Sequence, residues 1–93
     1  MEIAGKKVGF RGRFPSDLDP VKFELLQLGA RYTDDARDAA VDLVVVADPG
    51  AAPAGQARAR GLAVVSLREL VDHLVTVAPA GRVPNLRRAL RAK

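Results

Sequence analysis

Arg11, Gly12 and Arg13 are the residues of this sequence whose types and spacing best suit the binding of an anion. They follow a short segment in which apolar Val8 and Phe10 alternate with small or polar residues, a pattern that predicts a strand. Ligands usually bind at the carboxyl edge of a parallel sheet, and a guanidinium can hold a phosphate through two hydrogen bonds. The sequence therefore predicts an anion contact here, with two solvated surface arginines as the alternative.

A second group of cations lies near the C-terminus. Residues 79–93 carry five basic and no acidic residues, whereas residues 1–78 carry ten basic against eleven acidic residues, a balance of −1. The five are Arg82, Arg87, Arg88, Arg91 and Lys93. Such cations can neutralise nucleic-acid phosphates, although a flexible terminus can also be basic without binding anything. We predict a domain over residues 1–78 followed by a basic tail over residues 79–93.

Few residues could support catalysis or hold a metal. The chain has no cysteine and one histidine, His73, which has no second histidine to share a metal, so we expect a solvated helix residue. Asp48 follows an apolar run, as does the phosphorylated aspartate of response-regulator receivers, but Arg11 and Arg13 stand where receivers have an acidic pair. We expect no enzyme activity, no cofactor and no metal.

The apolar runs are also informative about location. The longest is far shorter than the roughly 18 residues that a membrane-spanning helix needs, and the first residues lack the apolar core of a signal peptide. We expect a soluble cytoplasmic protein without membrane contact, which leaves association with the nucleoid open.

Residues 18–28 have apolar residues at helical spacing, which predicts the first helix. The stripe consists of Leu18, Val21, Leu25 and Leu28. Asp19 is expected to be the N-cap and Pro20 the first helical residue. Phe23 and Leu26 lie off the stripe, so they either form a surface for a partner or a second copy, or pack against another helix.

Residues 41–47 are nearly continuous in apolar, β-branched side chains, which is typical of a strand buried on both faces of a parallel sheet. Residues 31–33 are a weak strand candidate, and residues 62–65 predict another strand. An Ala-rich helix with two solvated arginines, Arg58 and Arg60, is predicted between residues 47 and 62. Ser66 and Glu69 form a capping box that opens the third helix, with a stripe of Leu67, Leu70, Val71, Leu74 and Val77. The order β-α-β-β-α-β-α predicts an α/β fold with a small, mainly parallel four-stranded sheet and helices on both faces.

Four segments in this order resemble a known family. They are GKKVGFRG at residues 5–12, LLQLGARY at 25–32, VDLVVV at 41–46 and QARARGLAVVSLRE at 56–69. Together they are similar to the BRCT domain, a non-catalytic interaction module of DNA repair and replication proteins that also ends bacterial NAD-dependent DNA ligases. The resemblance covers residues 4 to about 77. It implies a BRCT-like three-layer fold and binding to DNA or to DNA-repair proteins.

The departures from that family concern its phosphate site. BRCT domains that bind phosphate use a hydroxyl residue before the first-strand glycine, that glycine's N–H and a lysine early in the second helix. Here Arg11 and Pro53 stand at the hydroxyl and lysine positions, Gly12 is retained, and Leu70 replaces an aromatic residue. The standard phosphopeptide pocket is therefore in doubt. Docking to DNA is our leading expectation, and a protein adaptor or homodimer acting through apolar helix faces is the alternative.

Overall fold

The computed structural model describes residues 2–14, 17–35, 37–38 and 40–91. The strands are β1 (Lys7–Arg11), β2 (Arg31–Thr33), β3 (Leu43–Val46) and β4 (Ala63–Ser66). The helices are α1 (Asp19–Gln27), α2 (Ala52–Ala59), α3 (Leu67–Val77) and α4 (Val83–Arg88), and a 3-10 turn (Ala80–Arg82) precedes α4. The predicted α/β class and the predicted element order are confirmed, with α4 following α3.

The four strands form one parallel sheet in the order β2-β1-β3-β4. All four residues of β3 are buried, which confirms the prediction that this β-branched segment is the central strand. In the pairing of β1 with β3, Gly9 lies beside Val44 and Phe10 beside Val45. Because side chains alternate between the two faces of a strand, neighbouring residues of β3 contribute to different cores.

The sheet separates two cores, which gives the predicted three layers with helices on both faces. The larger core lies against α1, α3 and α4 and includes Val45, Leu25, Leu70 and Leu74. The smaller core lies against α2 and consists of Val41, Val44, Val46, Ala54 and Ala57. This parallel topology is consistent with a BRCT-like fold.

The start of α1 differs from the prediction. Asp19 is the first helical residue and Leu18 is the N-cap, so the expected N-cap role of Asp19 is wrong and Pro20 is the second helical residue. The cause is Asp17, whose Oδ1 accepts the backbone N–H of Asp19 at 3.0 Å. A side chain two residues earlier thus satisfies one of the free N–H groups of the first turn.

The start of α3 is as predicted, but the last residue of its predicted apolar stripe is not buried. Ser66 Oγ accepts the Glu69 N–H at 3.1 Å, and Glu69 Oε1 accepts the Ser66 N–H at 3.3 Å, which confirms the capping box. Val77, predicted to lie in the apolar stripe, is exposed. Ala78, the next residue, packs against the larger core in its place.

The residues that follow α3 pack onto the rest of the molecule. Leu86 and Ala89 are buried members of the larger core, and Leu90 packs against it. The segment from the 3-10 turn through α4 is therefore held against α1 and α3 by its own apolar side chains. No helix in the described part of the chain is long and apolar enough to cross a membrane.

Candidate anion-binding surfaces

The Arg11 side chain turns back along its own strand instead of extending beyond the carboxyl edge. A Cβ atom added at Gly9 would lie 3.1 Å from Arg11 Nη1, so the guanidinium covers that glycine. Arg11 Nη2 donates to the carbonyl oxygen of Asp38 at 3.1 Å. Nη1 is buried and has no hydrogen-bond partner among the described residues. Arg11 therefore lies on the α2 side of the sheet, where Val41 also approaches Gly9.

The segment that receives Arg11 is itself held by an ion pair. Lys7 Nζ donates to the Asp38 carboxylate, and Asp38 Oδ1 accepts the N–H of Ala40 at 2.9 Å. The hydrogen bond from Lys7, followed by that from Ala40, lowers the pKa of the Asp38 carboxyl below its ordinary value. Lys7 thus holds the Asp38 side chain in place, and the backbone carbonyl of Asp38 accepts the hydrogen bond from Arg11.

The carboxyl edge of β1 presents Arg13. This side chain is exposed and lines a cavity of about 250 Å³ between the ends of β1 and β3 and the start of α2. Gly12 has a φ of +83°, and a Cβ there would lie 3.4 Å from Pro53 Cγ, so a glycine suits this turn. Asp48 also lines the cavity. The edge therefore offers one solvent-facing cation beside one acid.

A smaller cavity lies between β1 and α2. It has a volume of about 70 Å³ and is lined by Arg11, Pro53, Gln56, Ala57, Arg60 and Leu62. The sequence did not indicate this grouping, because Arg11 is far from α2 along the chain. The signal that was available is the spacing of Gln56 and Arg60, which places them on one face of the helix. Arg58, which points elsewhere, donates to the carbonyl of Pro49 at 3.1 Å.

Arg82, predicted to contact phosphate, pairs with a buried acid. Its Nε donates to Glu24 Oε1 and its Nη2 to Glu24 Oε2 at 3.4 Å. The Glu24 side chain is only 3% exposed, whereas that of Arg82 is 40% exposed. The guanidinium also lies over the Phe23 ring, with Cζ 5.3 Å from the ring centroid. Arg82 therefore joins the 3-10 turn to α1.

The next three arginines lie on the outer side of α4 and just after it. Arg87, Arg88 and Arg91 are exposed, whereas Leu86 and Ala89 point into the larger core. Arg88 Nη1 contacts Asn85 Oδ1 at 3.5 Å. Lys93, the last predicted contact, lies outside the described residues. Three of the five predicted cations of this segment are thus exposed at the end of α4 and just after it, and we call them the α4 basic face (Arg87, Arg88 and Arg91).

The two candidate apolar contacts on α1 are exposed. Phe23 is 47% and Leu26 53% accessible to solvent, so neither is covered by another helix. Phe23 also lines a groove of about 340 Å³ between α1 and α4, together with Arg82, Leu86 and the acidic Asp17 and Asp19. This groove combines an aromatic wall with charged residues of both signs.

Within the described ranges, no group of three or more His, Cys, Asp or Glu side chains could hold a metal ion. His73 is half-buried on α3, and its backbone carbonyl accepts the Thr76 hydroxyl at 2.6 Å. Comparison with models of protein families gives no match, and a search of curated proteins gives none either. The fold and the site geometry therefore carry the functional argument.

Proposed function

We propose that this chain is a non-catalytic BRCT-like binding module of DNA repair or replication, and that it docks to DNA through the α4 basic face. The resemblance of residues 5–12 and 56–69 to the BRCT family supports this reading, and the parallel sheet of order β2-β1-β3-β4 is consistent with it. The proposal assigns no catalytic residue and no cofactor.

The observation that carries the proposal is the arrangement of charge after α3. Residues 79–93 contain no acid, and Arg87, Arg88 and Arg91 are exposed at the end of a helix, and just after it, whose apolar residue Leu86 is buried. Fixed cations on one surface can neutralise several phosphates together, and each neutralised phosphate releases counterions. A surface of this kind suits the regular charge of a duplex.

The carboxyl edge of β1 is a second contact in this proposal. Arg13 is the exposed cation there, and Gly12 lines the same cavity. A terminal phosphate carries more charge than an internal one and can accept several hydrogen bonds, so a DNA end is the ligand that this edge would favour.

The main test is a titration of labelled duplex DNA with the full chain over a series of salt concentrations. Replacing Arg87, Arg88 and Arg91 by glutamine should weaken binding alike for all sequences. The log-log salt slope should fall by roughly 2 to 3 units, since each contact adds about 0.9. A matched control replaces three other exposed arginines, Arg31, Arg37 and Arg68, by glutamine. Equal losses in both variants would mean that only net charge matters and would contradict the assignment to α4.

The edge contact has its own measurement. Arg13→Ala should reduce any preference for duplexes bearing a 5′-phosphate over the same duplexes without it, and should leave the salt slope for internal sites nearly unchanged. Arg11→Ala is the comparison, because Arg11 is bonded to the Asp38 carbonyl. If Arg11→Ala has the larger effect, Arg11 and not Arg13 is the phosphate contact.

One observation favours a second candidate function, a protein adaptor or homodimer. Exposure of Phe23 and Leu26 on the same helix leaves an apolar surface that a partner could cover. If the parent chain shows no salt-dependent DNA binding, this function replaces the first. Leu26→Glu should then abolish self-association measured by sedimentation or light scattering, and a chain that is monomeric at all concentrations would exclude the homodimer.

A further inference from the structure

We propose that the Glu24–Arg82 pair is a clamp that sets the orientation of the α4 basic face, so that an acidic residue, Glu24, strengthens binding to DNA. The inference rests on the proposed function and deepens it. Glu24 is assigned as a positioning residue that acts through Arg82 and touches no DNA.

Arg82 lies at a position where a side-chain contact can set the direction of α4. Arg82 is the last residue of the 3-10 turn and the N-cap residue of α4, so fixing its side chain fixes the point at which the helix begins. Glu24 lies in the middle of α1, 58 positions earlier in the chain. The pair therefore joins the start of α4 to the body of the molecule.

A short helix needs such an anchor. α4 has six residues, fewer than the roughly 12 to 15 at which an isolated helix becomes even marginally stable in water. Its direction must therefore come from tertiary contacts. Leu86 supplies one on the inner side, and the Arg82 guanidinium between the Glu24 carboxylate and the Phe23 ring supplies another at the N-terminal end.

The buried carboxylate makes the clamp specific for a guanidinium. A carboxylate that is 3% exposed needs compensation for its lost hydration, and two N–H groups from one arginine provide it. Glutamine at position 24 would keep the size and one acceptor oxygen. It would also turn an amide N–H₂ toward the donating Nη2 of Arg82, which weakens the pair.

Charge and geometry then predict opposite results for the same substitution. Glu24→Gln removes a negative charge and releases Arg82, so electrostatics alone predicts tighter binding of DNA. The clamp predicts weaker binding, because α4 no longer holds its arginines in one orientation. Asp19→Asn is the matched control, since it removes one acid from the same helix at an exposed position outside the pair.

The experiment titrates duplex DNA with the full-length parent, Glu24→Gln and Asp19→Asn over a salt series. The expected result is weaker binding by Glu24→Gln, with a log-log salt slope lower by about 1 to 2 units, the equivalent of one or two lost phosphate contacts. Asp19→Asn should bind as tightly as the parent or slightly tighter. A general loss of folded protein would lower the active fraction without changing the slope.

Three results would overturn the clamp: tighter binding by Glu24→Gln, an unchanged slope, or the same loss in Asp19→Asn. Hydrogen exchange of the α4 amides without DNA gives an independent measurement, and Glu24→Gln should make it faster in α4 than in α3. Failure of the proposed function would look different, because the parent itself would then show no salt-dependent binding. In that case unchanged exchange in α4 would reject the clamp as well.

Discussion

On each face of the sheet, one arginine that the sequence predicts as an anion contact bonds to the protein itself instead, and the two arginines have different acceptors. On the face covered by α1, α3 and α4, Arg82 meets a carboxylate that takes two of its N–H groups. On the face covered by α2, Arg11 meets one carbonyl oxygen, and its Nη1 is buried with no partner among the described residues. What a guanidinium contributes to stability depends on its acceptors more than on its burial.

The cores beneath these arginines also differ in size. Among the residues that the structure describes, fifteen buried residues form the larger core and five form the smaller one. The loss of one apolar side chain removes a small fraction of the larger core but a larger fraction of the smaller core. Substitutions in the two cores, and at the two arginines, should therefore differ in their effect on the free energy of unfolding.

The largest effect is expected from Val44→Asp in the smaller core. Val44 is fully buried in the central strand, so the substitution places an unpaired carboxylate between β3 and α2 at a cost of several kcal/mol. That is comparable with the whole stability of a small domain. Thermal unfolding followed by circular dichroism should show a chain that is largely unfolded. Ala63→Asp, in the exposed part of β4, is the control and should melt close to the parent.

Leu86→Ala tests the larger core at the point where α4 joins it. Leu86 is fully buried, so its truncation should lower the free energy of unfolding by about 2 to 5 kcal/mol. Urea unfolding measures this difference. The exposed Leu26, changed to alanine in the same way, should shift stability by no more than about 0.5 kcal/mol. Equal effects of the two substitutions would mean that α4 does not pack on this face.

The same substitution at the two arginines gives the sharpest comparison. Arg82→Met leaves the buried Glu24 carboxylate without its donors and should destabilise by about 1 to 2 kcal/mol, since Arg82 is partly solvated. Arg11→Met removes the hydrogen bond from Nη2 to the Asp38 carbonyl but also replaces the buried, unpartnered Nη1 by an apolar atom, so the two effects oppose each other and stability should change little. Both are measured by urea unfolding. A loss at Arg11 as large as that at Arg82 would show that Arg11 Nη1 also has a hydrogen-bond partner in solution.

The smallest effect is a dependence on pH at Asp38. Its pKa in the folded chain is lowered by the hydrogen bonds from Lys7 and Ala40, whereas the unfolded chain should have an ordinary value of about 3.9. The resulting stabilisation is fully present above pH 4 and is lost as the pH falls through the folded pKa. Melting temperatures of the parent and Asp38→Asn should therefore differ at pH 7 and converge in acid. A difference that persists at the lowest pH would exclude this titration as its cause, and Asp72→Asn on the exposed side of α3 is the control.

The local sequence determined the elements and most of the layer structure. The β-branched segment around Val44 predicts a buried strand, residues 31–33 predict the short β2, and Ser66 with Glu69 predicts the start of α3. These signals are carried by neighbouring residues, whose spacing reflects the strand and helix periods. The prediction of Asp19 as the N-cap was wrong, and the side chain that accepts a first-turn N–H is that of Asp17, only two residues away.

The fate of the candidate cations was decided by the tertiary structure. Arg11 finds an acceptor 27 positions away and Arg82 finds one 58 positions away, and no local pattern contains those distances. The amino-acid composition does not distinguish an arginine that can bind an external anion from one that is paired within the fold. Tertiary packing brings Glu24 to Arg82, places Arg11 over Gly9, and leaves Arg13 and the α4 basic face exposed to solvent. The reason is that a charged side chain must be hydrogen-bonded or hydrated, and the fold decides which acceptors it can contact.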